Sequence, residues 1–118
     1  MKQIIPSEYE EQCALVEYLE MKGLMFSAIA QDTFTQNWSV KIRNKKRGVR
    51  SGLPDILVFI PKKNILLFIE LKRIKSSPSQ SKKSQTEWIE NLNKVEGVLA
   101  LVAKGAGEAI DFIEESLK

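Results

Sequence analysis

Residues 52–72 read GLPDILVFIPKKNILLFIELK, and how that stretch folds back on itself decides the fold. Two apolar runs, residues 56–60 and 65–69, flank Pro61-Lys62-Lys63-Asn64. Short β-branched and aromatic runs bounded by turn-prone residues predict the two strands of a hairpin. If Lys62-Lys63 form a two-residue loop, or if Ile60 and Ile65 close a four-residue loop, Pro61 faces Asn64. Counting outward, Asp55 then faces Glu70. Directly opposed residues hold their Cβ atoms about 4.5–5.5 Å apart. Lys72, two residues beyond Glu70, leaves the same face of its strand. A three-residue loop or a bulge shifts this register by one.

Two carboxylates facing each other across a hairpin repel, and in apolar surroundings one of them tends to keep its proton. A divalent cation removes the conflict, because hard ions such as Mg²⁺ take carboxylate oxygens and keep several waters. Water activated there can attack phosphorus, and a nearby lysine steadies the developing charge. Asp55, Glu70 and Lys72 thus outline a phosphodiester-cleaving site. The plainer alternatives are a turn cap at Asp55 and a solvated strand end at Glu70–Lys72. Charge patterning weighs against them. Asp55 and Glu70 are the only acids between Thr33 and Thr86, an interval crowded with lysine and arginine. Such a cationic field attracts a phosphate backbone.

Gly52-Leu53-Pro54-Asp55, followed by Glu70-Leu71-Lys72, resembles the PD-(D/E)xK nuclease superfamily. Three further stretches narrow the resemblance to its VRR-NUC family, the virus-type replication-repair nucleases. They are Arg47-Gly48-Val49-Arg50-Ser51-Gly52, a basic lead-in; Glu8-Tyr9-Glu10-Glu11-Gln12, an acidic motif; and Gln85-Thr86-Glu87-Trp88-Ile89-Glu90-Asn91-Leu92, a glutamine-bearing helix. The resemblance implies an α/β, restriction-endonuclease-like αβββαβ core, a central mixed sheet flanked by helices. It also implies Mg²⁺ or Mn²⁺ held by Asp55, Glu70, the Leu71 carbonyl and Glu8, with Gln85 near the scissile phosphate. Stand-alone members of this size, often phage-encoded, are associated with branched DNA such as four-way junctions, and the multidomain Fanconi-associated nuclease carries the same module. Glu11 rivals Glu8, and Gln80 rivals Gln85. The segment from 25 to 38 has no obvious counterpart in the family pattern.

The 118 residues fit one domain, 1–118, large enough for a modest core. No apolar run approaches the ~18 residues of a membrane span, and the acidic, amphipathic start does not read as a signal peptide. A single cysteine excludes an internal disulfide and a cysteine-rich zinc site, and a reducing cytosol is the expected setting. With no histidine in the chain, histidine bases, histidine zinc sites and Ser-His triads are all excluded. Hydrolytic chemistry must therefore run on carboxylates, lysine and metal. The net charge is only +3, but it is segregated: acidic first and last helices, basic middle. That asymmetry suggests a nucleic-acid face.

Residues 7–22 read as a helix capped by Ser7, with Glu10 completing a capping box and Gly23 as the stop. Leu15, Leu19 and Met21 form its apolar stripe with Cys13 and Val16, and Cys13 reads as a buried small hydrophobe. Glu8 and Gln12, four apart, share a face; the helix dipole alone could account for these acids. Residues 24–30 suggest a strand. Trp38 reads more readily as core than as a base-stacking residue. Val40-Lys41-Ile42-Arg43 alternates as a half-exposed strand would. Lys45, Lys46, Arg47 and Arg50 then punctuate a basic loop running into Asp55, where a DNA backbone would lie; plain solvation is the alternative. Residues 55–60 and 65–71, apolar on both faces, read as central strands covered on two sides. The Ser- and Lys-rich connection from 73 to 83, with Lys75, could contact phosphates. Residues 83–95 read as a helix with Trp88, Leu92 and Val95 on one stripe. Residues 98–103 form a strand reached by a helical crossover and hence parallel to its neighbour, and residues 107–117 a final helix with Ile110, Ile113 and Leu117 inward. Gly105 and Gly107 only superficially resemble a phosphate-binding turn.

These readings converge on a metal-dependent DNA endonuclease acting on branched or flapped substrates, expected as a homodimer because symmetric four-way DNA suits a two-fold. The rivals are an inactive DNA-binding module of the same fold, a sequence-specific restriction-type nuclease, and a small protein-interaction domain.

Overall fold

The computed structural model describes residues 4–30, 37–75 and 83–118. Along the chain lie α1 (Glu8–Lys22), β1 (Met25–Ala28), α2 (Trp38–Lys46), β2 (Ile56–Ile60), a 3-10 turn (Pro61–Lys63), β3 (Ile65–Lys72), α3 (Lys83–Leu92), β4 (Val98–Lys104) and α4 (Gly105–Leu117). The strands form one four-stranded mixed sheet in the order β1-β2-β3-β4, with helices alongside. The αβββαβ order is present, with α2 inserted between β1 and β2.

The hairpin takes the register expected from its loop. Ile56 pairs with Ile69, Val58 with Leu67, and Ile60 with Ile65. Pro61 starts the turn with its fixed φ, and Asn64 closes it at φ 56, a left-handed conformation that asparagine tolerates. β1 runs antiparallel to β2, and β4 parallel to β3, as a helical crossover requires.

Helix α1 starts and stops on the residues that predict it. The Ser7 hydroxyl accepts from the Glu10 amide, the Glu10 carboxylate accepts from the Ser7 amide, and Gly23 caps the other end. Its inward face is Glu11, Leu15, Tyr18 and Leu19, at helical spacing. Cys13 falls on the opposite side and is exposed, as is Met21, so neither belongs to the core stripe. Leu15 and Leu19 pack with Ala106, Ala109 and Ile113 of α4 over Ile56, Val58, Leu67, Ile69 and Leu71, which makes one closed core.

The sheet is not covered equally on both sides. On the second face Leu57, Phe59, Leu66 and Phe68 stay half-buried and Met25 is exposed. The apolar runs of β2 and β3 therefore read as more enclosed than they are. Helix α3 reaches β4 through Asn93, just past its end, whose side chain donates to the Ala100 carbonyl and accepts from the Ala100 amide, both at 2.9 Å. Val95 lies beyond α3 and is exposed rather than on its stripe.

The alternation at Val40-Lys41-Ile42-Arg43 does not make a strand. Those residues lie in α2, because the Asn37 side chain accepts from the Ser39 and Val40 amides and caps a helix there. Val40 and Asn44, four apart, are the residues α2 turns inward. Trp38 consequently faces outward, 71% exposed, and is not core. Among the described residues no helix is long and apolar enough to cross a membrane.

Candidate active site

Asp55 sits just before β2, and its Oδ2 accepts a hydrogen bond from the Leu71 amide at 2.9 Å. That bond extends the hairpin ladder by one side chain and fixes the carboxylate against β3. A strand residue sends its N–H and C=O to the same side, so the Leu71 carbonyl also leaves β3 on the Asp55 side. Glu70 is 4% exposed, and its carboxyl lies close enough to that of Asp55 for the two to interact. Burial, and then Asp55, push the Glu70 pKa up to about 8; the Lys72 charge opposes the shift and the Glu8 charge adds slightly to it. Lys72 Nζ donates to Gln85 Oε1 at 3.3 Å, which brings the start of α3 to the acid pair. Asp55, Glu70, Lys72 and Gln85 thus converge, with Glu8 near enough to be felt electrostatically. Gln80 lies outside the described residues.

The raised Glu70 pKa has a thermodynamic consequence. Between its ordinary value of 4.5 and about 8 the folded chain binds more protons here than the unfolded chain. Stability from this group is therefore complete at low pH and is lost as pH rises through that window. Glu70→Gln, neutral at every pH, should melt above the native protein at about pH 9, and the gap should close at about pH 5. Thermal melts of the metal-free proteins across pH check this.

The structure separates Glu8 from Glu11. Glu11 is 8% exposed, and its Oε2 accepts from the Ala106 amide at 3.0 Å, at the start of α4. Its charge meets the positive end of that helix, and the Gly105–Gly107 turn is thereby filled by a carboxylate of the chain itself. Glu8 is exposed on the first turn of α1. Glu11→Ala should cost about 1–3 kcal/mol of stability, the price of an unpaired buried amide. Glu8→Ala should leave the melting midpoint near the native value and lower cleavage. Denaturation and cleavage assays on both variants distinguish the two roles.

The cationic candidates are all exposed. Lys45 and Lys46 end α2, Arg47 is its C-cap, Arg50 lies in the following loop, and Lys75 follows β3. Arg47 Nη2 donates to Asn44 Oδ1 at 2.6 Å, and Arg50 Nη1 to the Lys45 carbonyl at 3.4 Å, so both also shape the loop. Two contacts that the sequence did not announce lock this loop to α3. Trp88 Nε1 donates to the Ser51 carbonyl at 3.0 Å, and Gly52 packs directly on the Ser84 backbone. Trp88 was legible only as an apolar stripe residue; nothing in the sequence signals its partner. A cleft of about 630 Å³, lined by Arg50, Ser51, Ser84, Glu87, Trp88 and Asn91, opens beside them.

Among the described residues no three acids cluster tightly enough to enclose a metal. The donor set nevertheless suits one hard divalent ion. Two neighbouring carboxyls, Asp55 and Glu70, and a strand carbonyl on the same side supply a few oxygens, and Mg²⁺ typically takes one or two carboxylates and fills the rest with water.

The chain matches the VRR-NUC domain over residues 2–107. It is similar to a solved structure described as a VRR_NUC domain protein, with a TM-score of 0.66 and 27% identity over 99% of this chain and 91% of that one. A comparison with curated proteins returns no match. An acidic hairpin with its lysine, backed by a glutamine-bearing helix, is what the sequence motifs implied, and the match spans nearly the whole chain: it belongs to the VRR-NUC domain family, a family of nucleases.

Proposed function

We propose that the protein is a Mg²⁺- or Mn²⁺-dependent endonuclease that hydrolyses phosphodiester bonds in branched DNA, four-way junctions or flaps. The observation that carries the reading is Asp55, tied to the Leu71 amide beside the buried Glu70, with Lys72 held by Gln85, reached by a basic loop. Asp55, Glu70 and the Leu71 carbonyl would hold the cation, with Glu8 adding negative charge from α1. When bound, the ion supplies Lewis acidity and eases deprotonation of water. An ammonium group has three donors; Gln85 takes one from Lys72 and orients the rest. Lys72 can then position the attacking water or steady the charge on phosphorus as the 3′-oxygen departs. Lys45, Lys46, Arg47, Arg50 and Lys75 offer charge for the backbone.

A homodimer fits this reading, since two copies related by a two-fold could cut symmetric four-way DNA at matched positions. Labelled linear duplex, flap, splayed and four-way substrates, each with and without Mg²⁺ or Mn²⁺, provide the test. Metal-dependent incision of the branched substrates, with the linear duplex spared, is expected. Cutting confined to one duplex sequence, or tight binding with no incision under either metal, would overturn the assignment.

A further inference from the structure

Helix α2 meets the rest of the protein through Val40 and Asn44 and turns its other side to solvent. On that outer side Trp38 is 71% exposed and Ile42, one turn on, 43% exposed. Lys41 and Lys45 share the face by helical spacing, and both are exposed. From Asn37 to Pro54 the chain carries Lys41, Arg43, Lys45, Lys46, Arg47 and Arg50 and no acidic residue. A large aromatic ring held in water inside a cationic field needs an explanation that core packing does not supply.

Two occupants of the face compete. A second copy meeting it through the same helix would bring both sets of cations together, and like charges opposed are unfavourable. The apolar area is also small: a buried tryptophan removes about 150–250 Å², whereas a stable interface needs about 800 Å² from each partner. Nucleic acid fits better. Its phosphates complement the cations, and one base matches one indole in size. Within a duplex each base face is covered by its neighbours, so a stacking platform finds a free face only where the helix ends or branches.

We propose that Trp38, flanked by Ile42 on the basic helix α2, is a stacking platform for a base left unpaired or terminal at a branch point or flap of the DNA substrate. The inference rests on the nuclease reading for its substrate class, and it adds the residue that separates branched from linear DNA. Helix α2 leads through the Arg47–Gly52 loop to Asp55, so a base caught on Trp38 would set which phosphate approaches the acids.

The test measures binding without cleavage, in EDTA, so it does not depend on catalysis. Fluorescence anisotropy is read with labelled four-way, flap and linear duplex DNA for the native protein, Trp38→Ala and Trp38→Phe. A 2-aminopurine at the branch point reports stacking directly. Trp38→Ala should weaken branched and flap binding about tenfold or more, weaken linear duplex binding far less, since only its two ends offer a base face, and lose the 2-aminopurine quench. Trp38→Phe should retain most of each. Equal weakening on all three DNAs, or no weakening on any, overturns the proposal. So does a change of molecular mass in Trp38→Ala by light scattering, which would give the face to a second copy. Failure of the nuclease reading shows separately, as absence of incision under Mg²⁺ with the native protein.

Discussion

Asp55→Asn is expected to abolish incision while leaving the fold and DNA binding intact. The variant keeps an oxygen for the Leu71 amide, which Asp55 Oδ2 holds at 2.9 Å, so the hairpin end should stay in place. What disappears is the negative charge that, in the proposed mechanism, would let the pair with Glu70 hold a cation. Losing about 4 kcal/mol of transition-state stabilisation slows a reaction about a thousandfold, and losing the ion removes at least that. Single-turnover cleavage beside equilibrium binding measures both halves of the expectation. Native-like cleavage by Asp55→Asn under Mg²⁺ would remove the acid pair from the mechanism.

The second large effect is expected at Gly52, an uncharged position three residues before Asp55. Its φ is +98, and a Cβ there would stand 2.7 Å from the carbonyl carbon and 2.8 Å from the carbonyl oxygen of Ser84. Backbone atoms cannot rotate away as a side-chain tip can, so Gly52→Ala must push α3 off the loop or unwind the loop from α3. The left-handed strain alone costs about 1–2 kcal/mol, and the collision adds to it. Gly48→Ala is the control: φ is +90 there, but nothing lies within 4 Å of the added carbon. Gly52→Ala should melt well below Gly48→Ala, and it should cleave more slowly even per folded molecule, because Gln85 moves with Ser84 and leaves Lys72 unoriented. Melting curves and cleavage rates of the pair at a temperature where both are folded check this.

The hairpin was legible because local rules and global packing agree there. Two runs of equal length, a proline that starts the turn and an asparagine that closes it favour the register that the structure adopts, and the acids follow from it. Helix α1 was legible for the same reason, since Ser7, Glu10 and Gly23 satisfy its ends locally. Helix α2 was misread because four alternating residues fit a strand and a helix equally well, and the deciding fact, the Asn37 cap, lies outside them. Hydrophobicity alone points Trp38 and Cys13 inward, but helical phase from Val40 and from Leu15 turns each of them out. Glu8 and Glu11 are three residues apart on one helix. Which meets the acid pair and which caps α4 depends on how α1 lies across the sheet, and that is a tertiary fact. The same holds for the sheet's second face, where strand composition cannot report how much the helices leave open.

Asn93 has a bearing on behaviour at high concentration. By occupying the backbone N–H and C=O of Ala100, its side chain blocks the middle of the outer rim of β4, where a stray strand would otherwise dock. Exposed sheet rims are templates for aggregation. On the opposite side β1 offers only four residues. Fibril seeding through the sheet is thus hindered at the middle of β4 and confronted with a short strand at β1.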